Sequence, residues 1–357
     1  MRIIAPWLYH RNFDLTFILL PSFIAVFLAF LLGDYFLQLE SQPIWVWVIL
    51  VMGIDVSHVY STLYKTYLHP EEYLKHKSLL FFIPLVVLVV GILLHTVSAK
   101  LFWTLLAYLA VFHFIRQQYG FMRLYAQKEV RTKGQKLIES SAIYAATLYP
   151  IIYWHTYPRE FNWFVEGDFL IGFNPVVERI CFVMYLGILA LYFFKEISTY
   201  KKGSPLNLPK NVVVIGTIVT WYVGIVLFNG DFTFTVTNIV AHGIPYMALI
   251  WIWGRKNHTK AFSYRWAIVP FLIIILMLAY IEEGFWAGFI WREHLDVFGL
   301  FKSLPVIENK KLLAIMVPLL TLPQATHYIL DGYIWKSGPP SKMPSHASLR
   351  MKNHEME

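Results

Sequence analysis

The sequence is poor in cysteine and in charge. A single cysteine, Cys181, lies inside an apolar run, so a disulfide framework and thiolate metal sites are excluded, and any metal must be held by nitrogen and oxygen. Charged residues make up 15% of the 357, against about a quarter in ordinary globular domains. A soluble enzyme, a nucleic-acid module and a disordered scaffold are thereby excluded. No period of the solenoid kind runs through the chain, and no second domain separates from the first. What is present is apolar: 57% hydrophobic residues and a mean hydropathy of +0.53, in runs of about twenty residues, long enough to cross a bilayer as helices.

These runs predict an all-α polytopic membrane bundle of ten helices, at 15–33, 43–63, 78–98, 101–121, 138–156, 175–194, 211–229, 234–253, 266–286 and 311–335. The first run is too long, and lacks a small-residue cleavage site, for a secretory signal, and is expected to be retained. With a cytoplasmic N-terminus, the inner segments hold 23 of the 30 basic residues and the outer ones hold 7. The positive-inside rule therefore predicts both ends in the cytoplasm, and the membrane is expected to be a bacterial inner membrane. The net charge of +8 reports this topology and a face near anionic lipid, with no nucleic-acid partner. Residues 1–336 are expected to form one transmembrane domain, and 337–357, of disordered composition, a cytoplasmic tail. The outer stretches 157–174 and 287–310 are the long loops, rich in aromatic and acidic residues that suit the membrane boundary.

Ionisable side chains are costly in hydrocarbon and point to function. Four histidines fall within spans: His58 in GIDVSHVYSTLY, His113 in AVFHFIRQQYGF, His242 in NIVAHGIPYMAL and His327 in PQATHYILDGYIW. They lie on the second, fourth, eighth and tenth spans, all running from outside to inside. The basic residue taken to mark the cytoplasmic boundary follows at 7, 10, 13 and 9 positions, for Lys65, Arg123, Arg255 and Lys336. That spread corresponds to about 9 Å of helix, which tilt, a break at Pro245 or a kink at Pro323 would close. Asp55 precedes His58 by three residues and Asp331 follows His327 by four, placing each carboxylate on its histidine's face. Neutral imidazoles without thiolate suit an oxygen-activating iron or copper site, with Asp55 and Asp331 as ligands or as acceptors of the outer ring N–H. Arg116 shares His113's face and, with Gln117 and the polar residues after His58 (Ser61, Thr62, Tyr64, Lys65), would line a cytoplasmic vestibule. His69 and His76 read as solvated loop residues. The H-x3-H spacing of membrane desaturases is absent.

In this order the four motifs resemble those of the bacterial Brp/Blh family of integral-membrane beta-carotene cleaving dioxygenases. That family has a Pro-His-Gly-type motif in an early helix, a His-Phe motif next, a histidine pair late in the chain and a terminal His followed by Asp. The counterparts are His58, His113-Phe114, His242 and His327 with Asp331; the third motif here has one histidine, and the first reads DVSHVYSTLYKTY. The resemblance implies a non-haem Fe(II), dioxygen and an apolar, lipid-like or isoprenoid/carotenoid small molecule as partners within the bilayer. Two other readings use the same residues. A haem-binding electron carrier would need axial histidine pairs, and a proton- or solute-coupled transporter would place Asp55, His58 and His242 at a midplane site.

Overall fold

Long apolar stretches without water to bond their backbone must satisfy it internally, and helices do so. The computed structural model, which describes residues 3–39, 42–257 and 260–335, is accordingly built almost wholly of helix. The helices are α1 (Arg11–Leu37), α2 (Ile44–Lys65), α3 (Pro70–Val97), α4 (Ala99–Tyr125), α5 (Lys133–Thr156), α6 (Pro175–Lys201), α7 (Leu208–Leu227), α8 (Asp231–Lys256), α9 (Ile268–Trp291), α10 (Lys310–Leu320) and α11 (Leu322–Ile334). The only strands among the described residues are a parallel pair, β1 (Ile3–Ile4) with β2 (Leu206–Asn207).

Eight of these helices, α1 to α4 and α6 to α9, are long and apolar enough to span a membrane, making this an integral multi-pass membrane protein. All ten expected segments are helical, but the expected count of spans is not reached among the described residues. The segment 138–156 lies in α5, which falls short of that apolarity, and the last segment is two helices meeting at 42°, counting as a ninth span if taken together. The tail expected at 337–357 lies outside the described residues.

The bend has a covalent cause. Pro318 inside α10 and Pro323 at the start of α11 each lack the N–H that would continue the ladder, and the Thr321 hydroxyl between them donates to the carbonyls of Val317 and Pro318 at 3.1 and 3.3 Å. Pro245, by contrast, sits within an unbroken α8. A proline at that position leaves the carbonyl of Ala241 without its helical donor, and Gln118 of α4 supplies one at 3.3 Å, while Gln117 donates to the carbonyl of His242 at 2.8 Å. The expected break is therefore replaced by a cross-helix bond that ties α4 to α8.

Burial sorts the helices into layers. In α8, 72% of the apolar window is buried, against 11% in α3, so α8 is the central post, packed by α1, α2 and α7, and α3 presents most of its surface outward. Near the ends of α5 to α7 a second polar cluster is fully paired. Glu139 takes Arg131 at 2.6 Å, Lys195 at 2.8 Å and Lys210 at 3.2 Å. Glu196 takes Lys195 and, at 2.8 Å, Lys210, which also reaches Glu129 at 3.1 Å.

Candidate metal centre

The four histidines arrive from four helices, and each is at most 2% exposed. Their rings form a closed circuit, with centroids 4.7 Å apart for His58 and His242, 5.0 Å for His242 and His113, 4.6 Å for His113 and His327, and 5.0 Å for His327 and His58. One ligand-capable atom from each lies within 4.8 Å of the others.

The local helix geometry explains how they meet. α2 is wound as a π-helix from Val48 to Val56, returns to α over Ser57–Ser61, and tightens to 3-10 over Thr62–Lys65. Such irregular winding recurs at functional sites, where it turns side chains off the regular stripe, and it carries Asp55, His58 and Thr62. The opposing histidine, His242, is held in register by the Gln117 bond to its own carbonyl and by Phe114, whose ring stacks on it at 3.6 Å and 7°. His327 sits in the second half of the bent pair, so the bend supplies the freedom in depth that Pro245 was expected to give.

The nitrogens divide into an outer and an inner set. On the outside, His58 Nδ1 faces Asp55 at 3.5 Å and His113 Nδ1 faces Asp331 at 3.7 Å. His327 Nδ1 is 2.8 Å from the Thr62 hydroxyl, which is itself 3.0 Å from the Tyr246 hydroxyl. On the inside, His58 Nε2 and His242 Nε2 face each other at 3.1 Å, and Nε2 of His113 and of His327 is buried with no hydrogen-bond partner. Leaving a buried polar atom unpaired costs about 1–3 kcal/mol. A metal ion among the inner nitrogens would relieve both costs at once.

The dimensions fit that occupant. Imidazole nitrogens about 2.0–2.1 Å from one ion are about 3.3 Å apart in a tetrahedron and about 2.9 or 4.1 Å apart in a square. The observed pair at 3.1 Å is already inside that range, and the full set, within 4.8 Å, needs only a small contraction. Donation through Nε2 requires the proton on Nδ1, and carboxylates or a hydroxyl stand at that side of three of the four rings, the arrangement that fixes the tautomer of metal-binding histidines. A haem does not suit this geometry, because the plane between any axial pair would be filled by the other two imidazoles.

Two residues stand elsewhere than their spacing indicates. Asp331 was expected beside His327, four positions away on the same helix; it pairs across the bundle with His113, and His327 takes Thr62 instead. Arg116 was expected at a vestibule. It donates to Tyr144 of α5 at 3.1 Å and lies 4.9 Å over the Tyr119 ring, on the seam between α4 and α5. Asp55 stays with His58 as its spacing indicates. Several other histidines have structural tasks: His10 and His69 cap α1 and α3, and His155 meets the Leu170 carbonyl at 2.5 Å. Glu282, buried in α9 and accepting from Tyr60, and its neighbour Glu283 were not singled out by the sequence analysis. Their signal was present, since two carboxylates interrupt the apolar run 266–286.

Compared with family models, curated proteins and solved structures, the chain matches none.

Proposed function

We propose that this protein is an integral-membrane oxygenase that holds a non-haem iron on His58, His113, His242 and His327 and acts on an apolar, lipid-like or isoprenoid substrate. The observation that carries the reading is the buried four-histidine group, whose inner nitrogens have only each other or no partner. A donor set without thiolate suits iron among oxygen-activating metals, and the motif order resembles the Brp/Blh pattern. Iron bound there would supply a centre at which dioxygen and an apolar substrate, both soluble in the bilayer, are brought together.

The chain's own residues have distinct parts in this scheme. Asp331 and Thr62 orient His113 and His327 and keep the proton on Nδ1, and Asp55 does the same for His58. Phe114 shields one face of His242, and the surrounding aromatic side chains keep water from the centre. Arg116, turned to Tyr144, is given a packing task in place of the vestibule. The basic ends of the helices face the cytoplasm in this scheme, as the charge distribution predicts, and the membrane is taken to be a bacterial inner membrane.

The test is the metal content and visible spectrum of detergent-purified protein, followed by oxygen uptake on adding isoprenoid lipids to iron-loaded protein. About one iron per chain, no Soret band and substrate-dependent uptake are expected. Tightly held zinc with no uptake after iron reconstitution would overturn the oxygenase and leave the metal centre standing.

A further inference from the structure

A cavity of about 680 Å³ opens at the end of the bundle where α2 and α8 begin, and runs down to Phe114 and Val56. This is the end opposite the basic vestibule that the sequence suggested. Its size suits an organic molecule rather than a bare ion, and its floor is the ring stacked on His242.

Its walls combine two chemistries. Glu160, Glu166, Asp231, Glu283 and Glu293 line it, with no lysine or arginine among the lining residues. None of these five carboxylates forms an ion pair among the described residues. The arginines nearby are engaged elsewhere: Arg159 donates to the carbonyls of Tyr157 and Ile225, and Arg292 to those of Gly288, Lys302 and Leu304. Between the carboxylates stand Trp47, Trp163, Trp286 and Trp291. Deeper in, Asn238 is 6% exposed and lines the cavity with its side-chain carbonyl oxygen unpaired.

We infer that this cavity is a binding site for an organic cation, the ammonium-bearing head of an amphiphile whose apolar part lies toward Phe114 and the histidines. Aromatic faces attract a desolvated ammonium through their quadrupoles, and quaternary ammonium ligands are recognised in aromatic cages. Carboxylates without an ion-pair partner add a field of the right sign, and the Asn238 oxygen can accept from a hydroxyl or N–H that the ligand carries beside its charge. The inference deepens the proposed function by naming its substrate class, and rests on that reading only in taking the ligand to be the substrate.

The test titrates the tryptophan fluorescence of the purified full chain, in a neutral maltoside detergent, with choline and with its uncharged isostere 3,3-dimethylbutan-1-ol. Choline should bind about tenfold tighter than the alcohol, Glu283→Gln should remove most of that preference without changing alcohol binding, and Trp163→Leu should weaken choline binding. Asp231→Asn serves as a second carboxylate variant should Glu283→Gln fail to fold. Equal binding of the two probes, or competition by Mn(II) without choline binding, would overturn the cation site. Iron content is read on the same samples: choline preference without iron refutes the substrate reading alone, and iron without preference refutes this inference alone.

Discussion

Two buried polar clusters sit in this bundle, and they are finished differently. Around Glu139, Glu196 and Lys210 every charge has an opposite charge or amide against it. Around the four histidines three outer nitrogens face carboxylates or a hydroxyl, the fourth, His242 Nδ1, has no partner, and the inner ones have only each other or nothing. Burial alone does not mark function, since both clusters are buried; the distinction is unsatisfied valence aimed at a common point. The first cluster joins helices, and the second is shaped for something it does not itself contain.

The comparison can be broken most decisively at the histidines. His113→Ala and His327→Ala should each abolish metal binding, read by elemental analysis, with helicity and monodispersity retained; full metal retention in both would collapse the distinction. The paired cluster should respond in the opposite sense. Glu139→Gln removes the carboxylate shared by Arg131, Lys195 and Lys210, leaving three cations to Glu129 and Glu196, and should cost about 3–5 kcal/mol of stability, seen in thermal unfolding, with metal per folded chain unchanged. Asp331→Asn lies between these extremes. It should weaken metal binding by about 10–100-fold through His113, and an unchanged metal affinity would show that the route is wrong. The smallest effect is expected at Arg116→Ala, which loses the bond to Tyr144, worth about 0.5–1.5 kcal/mol, and should keep its metal; an emptied site would show that Arg116 does more than join α4 to α5.

The histidines were legible because polar residues inside apolar runs have few innocent explanations, and the order of the spans placed them at related depths. Their partners were less legible. Helix periodicity relates residues on one helix, so it assigned Asp331 to His327; the actual pairings, Asp331 with His113 and Thr62 with His327, depend on how helices distant in sequence are tilted together. Pro245 shows the same limit. A proline announces a missing donor, but whether the helix breaks or a neighbour supplies the bond depends on Gln118, more than a hundred residues earlier. The large cavity was hidden for a related reason, because its carboxylates and tryptophans come from loops and helix ends scattered across the sequence. The helical character of every expected span was plain, whereas composition along α5 and the bend before α11 decided how many qualify.

The bend between α10 and α11 bears on how the protein is made. α11 has 13 residues, about 20 Å of helix, too little to cross a bilayer unaided, and it carries the last of the four histidines. A nascent chain therefore holds three imidazoles through most of its synthesis and gains the fourth only when this half-helix folds back against α4. The full set of four exists only once α11 is in place, and a chain truncated before Leu322 would insert most of its helices yet lack the residue that closes the centre.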